Sequence, residues 1–480
     1  MKENAFVRQR ILLVLVTALA LLVPTVAASA NSSQFTTVEA PRELTTVGVS
    51  PDPVLDEIQS LGADGIRLQL GWRGVAPSPE SRTKPSFNAT DPSAYSGWEK
   101  YDTAIDAARE RGLLVHLTIT GAAPTWGTAG KDPEGLNRPD AAEFGKFATA
   151  VGRRYGAKVA YWSIWNEPNL GKLLKPIYDG SSNRLLSPIT YRNLYISGYS
   201  GLRTAGVRKP VFVGELAPQR NSSRTFGTVA PIDFLRGMLC LDKSYKPVKV
   251  GGKRCSKLPT QGFAMHPYST QAGPFLRPAD QGNVVIGVLD RLTRALDRAA
   301  AAGAIPARLP LYLTEFGVQS KPDALIGVSL EKQSDFRSIA ERIAYLNPRV
   351  KSFSQYLMRD DQNDTGRAYG SFESGLYLYK GNKPKPALYS FRLPLVVVPG
   401  RSATSATLWG LVRPAKAAGS VTLQYRDSGA WRTLGRQRFA GNGYWQRTVT
   451  TTAKRSWRVS WKAPDGETYN GPATRAHTKP

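Results

Sequence analysis

Tyr161-Trp162-Ser163-Ile164-Trp165-Asn166-Glu167-Pro168-Asn169 is the stretch on which the reading of the fold turns. An apolar, aromatic run of this kind predicts a buried strand. Pro168 has no N–H to give to a ladder, so pairing stops there. Glu167 is thereby set where a strand ends and a loop begins. Leu309-Pro310-Leu311-Tyr312-Leu313-Thr314-Glu315-Phe316-Gly317 repeats the arrangement, with Glu315 at the end of a second apolar run. The two acids predict one shared cleft if both strands belong to one sheet.

Working outward, strand and helix signals alternate from residue 42 to residue 393. The predicted strands are Thr45–Val49, Gly65–Leu70, Leu113–Thr120, Val159–Trp165, Val211–Glu215, Gly262–His266, Leu309–Thr314 and Val350–Leu357. Helical patterns fall between them. One runs from Gly97 to Arg111 and ends at Gly112, and another is capped by Asp140. Eight such alternations predict a (β/α)8 TIM barrel. A doubly wound open sheet is the alternative, but no Gly-rich phosphate loop follows an early strand. In a barrel the strand C-termini form one face. Trp72, Trp126, Glu167, Glu215, His266, Tyr268, Glu315 and Tyr356 all fall at or just past predicted strand ends.

After Pro394 the pattern changes to short Val/Thr/Trp-rich runs separated by turns such as Asp427-Ser428-Gly429 and Gly441-Asn442-Gly443. Residues 394–475 therefore predict a small all-β immunoglobulin-like sandwich. From Pro394 to the C-terminus there are 14 Lys and Arg against 3 Asp and Glu. That makes it the most basic part of the chain per residue. The tail from about Gly471 is expected to be loose.

The whole chain carries a formal charge of +27 and 41% hydrophobic residues. The hydrophobic share suits a packed globular protein and argues against disorder. The charge favours a polyanionic partner such as an anionic cell wall or an acidic glycan. The alternative is a basic, solvated surface with no dedicated partner. No Lys/Arg block of the nucleic-acid-binding type is present. Lys2, Arg8 and Arg10, the apolar run Ile11–Val23 and Ala28-Ser29-Ala30 predict a secretory signal peptide over residues 1–30, and hence a secreted or cell-surface protein. An uncleaved anchor is the competing reading; the apolar run is short for a span. Cys240 and Cys255 are the two cysteines, and an exported protein permits a disulfide between them. Their spacing matches no zinc pattern.

Trp165-Asn166-Glu167-Pro168-Asn169 and Thr314-Glu315-Phe316-Gly317 resemble the strand-4 and strand-7 motifs of the clan A glycoside hydrolases. The first is similar to family 39, the second to the cellulase-like family 5. Gly375-Leu376-Tyr377 with Lys385-Pro386-Ala387-Leu388-Tyr389 resembles the close of such barrels. The resemblance spans residues 42–393. It implies a retaining mechanism, which needs carboxyls about 5–5.5 Å apart. Glu167 would then be the general acid/base and Glu315 the nucleophile. It further implies that Asn166 bonds the sugar 2-hydroxyl, that Arg67 pairs with the nucleophile, and that His266 and Tyr268 lie beside it. Tyr356 departs from the Trp found in many clan members.

Each residue also has a structural reading. A lone acid at a strand end is commonly a salt bridge, Arg67 can pair elsewhere, and a histidine within a strand, such as His116, is commonly a core residue. Trp72, Trp126 and Tyr356 are either sugar platforms or core. Glu215 is either a substrate contact or a surface acid. Asp361, Asn363 and Thr365-Gly366 faintly echo a calcium loop without its later acid, so no metal and no cofactor is expected. Asn31, Asn88, Asn221 and Asn363 lie in glycosylation sequons. The expected function is an exported retaining glycosidase acting on β-linked oligo- or polysaccharide. A silent carbohydrate-binding barrel and a transglycosidase using the same two glutamates are the rival readings.

Overall fold

The structure, a computed structural model, describes residues 33–180, 184–221, 227–361 and 371–477. The predicted signal peptide, the sequons at Asn31 and Asn363, and Thr365-Gly366 of the calcium-like stretch lie outside the described residues. Strands β1 (Thr37–Glu39), β2 (Gly65–Gly71), β3 (Leu114–Thr120), β4 (Tyr161–Ile164), β5 (Val211–Leu216), β6 (Gly262–Met265), β7 (Leu311–Leu313) and β8 (Val350–Phe353) are parallel neighbours in chain order. A short segment β9 (Gln355–Tyr356) follows β8 after Ser354 alone and pairs in parallel with β1. The sheet thus returns on itself, and the predicted (β/α)8 barrel is the observed fold.

Helices α1 (Asp52–Ser60), α2 (Glu99–Glu110), α3 (Ala141–Tyr155), α4 (Ser187–Thr204), α5 (Pro231–Met238), α6 (Leu289–Ala301) and α7 (Leu330–Leu346) make the crossovers, and α8 (Pro386–Arg392) leads out. Each begins or packs for a local reason. The Asp140 side chain accepts the Glu143 N–H at 3.0 Å and caps α3. In α6, Leu289, Leu292, Ala295, Leu296 and Ala299 recur at helical spacing and are buried. Helices α3 and α4 touch at Gly201, where a Cβ would meet the Gly145 carbonyl oxygen at 2.1 Å. Inside the barrel, the rings of Phe35, Tyr161, Phe212 and Tyr312 meet across the sheet, Phe212 and Tyr312 stacking at 3.7 Å. These rings fill the N-terminal end of the barrel interior, leaving polar side chains to the other end.

The first strand differs from expectation. It is Thr37–Glu39, whereas the predicted Thr45–Val49 is a turn beyond a short helix, with Val47 79% and Val49 46% exposed. The β-branched run Thr36-Thr37-Val38 is shorter than a usual strand and is held by its two neighbours on either side. The barrel accordingly begins before residue 42.

Beyond α8 the chain forms two antiparallel sheets. One contains β10 (Leu395–Pro399), β11 (Ser405–Gly410) and β14 (Trp445–Thr450). The other contains β13 (Arg432–Phe439), β12 (Gly419–Arg426), β15 (Ser456–Lys462) and β16 (Thr468–Asn470), in that order. Leu408, Val421, Leu423, Trp457 and Val459 fill the space between them. The tail is not loose up to its last described residues: Thr474 bridges Trp457 and Ala476 bridges Val397. Cys240 and Cys255 are bonded, with Cα atoms 6.2 Å apart. No helix among the described residues is long and apolar enough to cross a membrane.

The sandwich is fixed to the barrel by a buried ionic joint inside an apolar seam. Val396 and Trp409 pack on Val328, Phe336 and Ile339. Beside them, Glu341 of α7 pairs with Arg413 of the sandwich and, at 2.9 Å, with Arg337. Burial opposes ionisation of Glu341, yet Arg413 and Arg337 together hold its carboxyl below the usual range. Glu341→Ala strands two buried guanidiniums and is expected to destabilise the fold by about 3–5 kcal/mol. Chemical denaturation of the full chain measures this, and a change under 1 kcal/mol would show the joint to be dispensable.

Candidate active site

Arg67 projects from β2 into the polar end of the barrel, its side chain fully buried. A guanidinium has five donors and no acceptor, so burial demands several oxygen partners. Nη1 donates to Glu39 at 2.7 Å and to Glu315 at 2.6 Å. Nη2 donates to Asn166 Oδ1 at 3.0 Å and to Glu215. Nε donates to Thr118 Oγ1 at 3.2 Å. One cation therefore gathers side chains from the ends of β1, β3, β4, β5 and β7.

Glu315 is held from three further directions. Tyr268 Oη donates to its Oε2 at 3.0 Å, Gln69 reaches Oε1 at 3.4 Å, and His266 Nδ1 lies 3.4 Å from Oε2. Glu167 lies across from it. Its Oε1 is 3.0 Å from His266 Nδ1, and its side chain keeps 15% exposure against 7% for Glu315. One oxygen of each glutamate and a ring nitrogen of His266 all lie within 4.8 Å of one another. Both ring nitrogens of His266 face carboxylates, with Nε2 3.1 Å from Glu215 Oε2. Both nitrogens of the ring are thus engaged by carboxyl oxygens.

The backbone here is strained. Trp165, Glu167 and Glu215 have φ of 65°, 42° and 52°. Such left-handed conformations cost about 1–3 kcal/mol each outside glycine and collect at functional sites. In the motif, the Glu167 N–H bonds the Glu215 carbonyl at 2.9 Å and the Trp165 N–H bonds that of Ile119 at 2.7 Å. Asn169, fully buried, donates to Ala217 and Val229 carbonyls at 2.9 Å each and accepts the Ala217 N–H at 2.8 Å. It ties the end of β4 to the end of β5, so the motif's second Asn is architectural. Glu215 itself is the extra residue of a bulge between Gly214 and Leu216 in the β5–β6 ladder.

Environment sorts the titratable groups. Burial pushes the Glu39 carboxyl up to about 8, against the pull of Arg67. Burial also opposes the charge of Glu215, but Arg67 first and His266 next hold it well below the ordinary carboxylate range. His266 is opposed by burial and raised to about 10, mainly by Glu315, Glu167 and Glu215. His116 is depressed to about 3 by burial, and its Nε2 sits 2.8 Å from Ser163 Oγ. It is a neutral residue of the barrel interior.

Of the predicted residues, Arg67, Asn166, Glu167, His266, Tyr268 and Glu315 converge. Tyr356 stands half-buried at the rim, edge-on to Tyr268 at 6.1 Å and to Phe372 at 5.2 Å. Trp72 and Trp126 require correction. Trp72 is fully buried, stacked on Phe147 at 5.8 Å. Trp126, 5% exposed, packs edge-on to Trp72 and donates Nε1–H to the Pro77 carbonyl at 3.1 Å. Both are core beneath the rim and present no ring face to a ligand. Glu215 is not a surface acid but part of the buried network. Glu39 and Gln69 escaped the sequence reading. Glu39 becomes legible only once β1 is placed at Thr37–Glu39, and Gln69 lies two residues from Arg67 on the same inward side of β2.

No protein-family model matches the sequence. Over 121 residues the chain is 27% identical to coniferin beta-glucosidase of Pinus contorta, a match covering 24% of this chain and 21% of that protein. Beta-glucuronidase 2 of Bacteroides uniformis, bound covalently to cyclophellitol-6-carboxylate aziridine, shares 11% identity at a TM-score of 0.46, over 94% of this chain and 47% of that one. The beta-glycosidase of Thermosphaera aggregans shares 16% identity at a TM-score of 0.47, over 71% and 83%. The matched part is thus about a fifth of the curated relative and under half of the Bacteroides enzyme. The fold assignment rests on the strand order given above.

The Glu39 shift has a consequence for stability. A carboxyl raised from 4.5 to about 8 binds its proton more tightly folded than unfolded. Its contribution therefore weakens stability progressively as pH rises from about 4.5 to about 8. Glu39→Gln, which keeps the acceptor for Arg67, should match wild type near pH 5 and equal or exceed it near pH 8. Urea midpoints at the two pH values test this; a variant weaker at the higher pH only would mean that Glu39 is ionised in the folded protein.

Proposed function

We propose that the protein is an exported retaining glycoside hydrolase acting on β-linked oligo- or polysaccharide. The observation that carries this reading is the pair Glu167 and Glu315, with oxygens within 4.8 Å and unlike surroundings. Glu315 is ion-paired to Arg67 and bonded by Tyr268, which fixes its carboxyl in place as the nucleophile. Glu167, the more exposed of the two, has room to give and take a proton. Their closeness suits double displacement, whereas inversion needs roughly 6.5–9.5 Å to admit a water.

In the first half-reaction, a Glu315 oxygen bonds the anomeric carbon while the glycosidic C–O bond breaks and Glu167 gives its proton to the leaving oxygen. In the second, Glu167 takes a proton from water, the water oxygen bonds the anomeric carbon, and the ester to Glu315 breaks. Asn166 is anchored through Oδ1 on Arg67, which leaves its Nδ2 for a substrate hydroxyl. The stretch shared with coniferin beta-glucosidase supports β-glycoside chemistry. The disulfide and the N-terminal sequence support export.

The sandwich is proposed to hold the enzyme on an anionic cell-wall polymer or acidic glycan. Strands β12, β13 and β15 contain Arg426, Arg432, Arg436, Arg438, Arg458 and Lys462 and no acid. Arg436 and Arg438 sit opposite Thr422 and Ser420 and are exposed. Arg426 and Arg458 lie over the Trp431 ring at 4.6 and 4.4 Å. Their neighbours Val421, Leu423 and Val459 point inward, so Arg426, Arg436, Arg438, Arg458 and Lys462 share the outer face, whereas Arg432 sits opposite the core-packing Tyr425.

Glu315→Gln, which keeps an acceptor for the buried Arg67, should abolish hydrolysis of aryl β-glycosides while the protein still folds; substantial residual turnover would defeat its role. With Glu167→Ala, azide should restore cleavage of substrates with good leaving groups and give a glycosyl azide of retained configuration, and an inverted product would count against retention. For the sandwich, the full chain should elute from immobilised polygalacturonate at higher salt than the double variant Arg436→Gln/Arg438→Gln. Identical elution would remove this face from the proposal.

A further inference from the structure

Glu215 is a fully buried acid that neither proton transfer nor nucleophilic attack uses. It is costly to keep: a bulge, a left-handed backbone and a buried charge converge on it. Gly214 before it takes φ of 120°, and a Cβ there would meet the Ala264 carbonyl oxygen at 2.4 Å. The chain is shaped to turn this carboxylate inward. Its Oε2 is shared by Arg67 and His266 Nε2, the latter at 3.1 Å. Its Oε1 has no hydrogen-bond partner among the described residues and stands 3.9 Å from His116 Nε2.

The consequence lies on the other side of the imidazole. His266 Nδ1 is 3.0 Å from Glu167 Oε1 and 3.4 Å from Glu315 Oε2. A neutral imidazole carries one N–H. With Glu215 at Nε2 and oxygens of both Glu167 and Glu315 at Nδ1, a ring with a single N–H leaves one nitrogen lone pair facing a carboxyl oxygen. Two ring protons satisfy every contact at once. In the double displacement proposed above, on which this step rests, negative charge leaves Glu315 as its ester forms and arises on Glu167 as its proton departs. The second half-reaction reverses this. One N–H within reach of both oxygens can bond whichever bears the charge.

We propose that Glu215 is a positioning residue that keeps His266 doubly protonated, so that its Nδ1–H follows the charge between Glu315 and Glu167 in each turnover. The groups facing the ring come from all sides. Glu39 and Arg67 stand on β1 and β2, and His116 on β3. Glu167, Glu215 and Glu315 end β4, β5 and β7. Tyr268 follows the ring in sequence, and Tyr356 stands behind Tyr268. His116 stays neutral, so the carboxylates outweigh Arg67 and burial, and the ring keeps its charge up to about pH 10.

The experiment compares wild type with Glu215→Gln, which keeps the shape and an acceptor for Nε2–H but removes the charge. The chain has three histidines, so side-chain 15N NMR can follow His266 directly. In wild type its ring should remain doubly protonated at pH 8, and in the variant it should titrate at least one pH unit lower. The loss of kcat/KM in the variant should grow with pH, and be several-fold greater near pH 10 than near pH 5. A neutral ring in wild type at pH 8, an unshifted ring in the variant, or an equal loss of activity at every pH would each overturn the proposal. If Glu215→Gln does not fold, Glu215→Asp, which withdraws the charge by one methylene, carries the same comparison. The NMR readout needs no substrate, so absence of glycosidase activity would end the functional reading without deciding the role of Glu215.

Discussion

The site depends on one buried cation. Arg67 stands inside a barrel whose strands end in acids, and its five N–H groups have no water to turn to. Burial of such a charge without partners is prohibitive. Glu215 and Glu315 supply the countercharge, and Glu39, Asn166 and Thr118 supply further oxygens. The converse also holds. These acids are tolerated close together because the guanidinium lies between them, and where it falls short Glu39 retains a proton instead. The position of the nucleophile candidate is thus a result of charge balance before it is a matter of substrate recognition.

A second cation completes the balance. His266 lies between Glu167, Glu215 and Glu315, and the three acids keep it charged despite full burial. Arg67 has no proton to lose, so it fixes geometry, whereas an imidazolium is a movable donor. The division leaves Glu167 as the acid tied to the histidine and not to the arginine. Two glutamates of like chemistry thereby acquire unlike surroundings, the condition for assigning them unlike tasks. Left-handed backbone at Trp165, Glu167 and Glu215 shows that the fold gives up stability to keep this arrangement.

Much of this was legible in the chain. The aromatic run into Asn166-Glu167-Pro168, its counterpart at Glu315, the Arg of β2 and the His that follows β6 mark a common rim, because strand ends in a parallel barrel face one way. What escaped was decided beyond the strand ends. Trp72 and Trp126 follow strands as a platform residue would, but the chain turns after Gly71 and buries both indoles among Phe87, Phe144 and Phe147. Glu39 was hidden because a three-residue strand carries too little pattern to be recognised, and the more hydrophobic-looking Thr45–Val49 proved to be an exposed turn.

By itself the sequence determined the alternation that closes a barrel, the sandwich that follows, the excess of basic residues, and the two glutamates at strand ends. Periodicity and turn chemistry are local, and local patterns are written in consecutive residues. Which acids would share Arg67 was decided by tertiary structure alone. Its carboxylate partners lie 28, 148 and 248 residues away. They meet through the closure of β9 onto β1 and through a one-residue bulge that turns Glu215 inward. Register and bulges set side-chain direction, and a shift of one residue would have pointed the same acids away from the barrel interior.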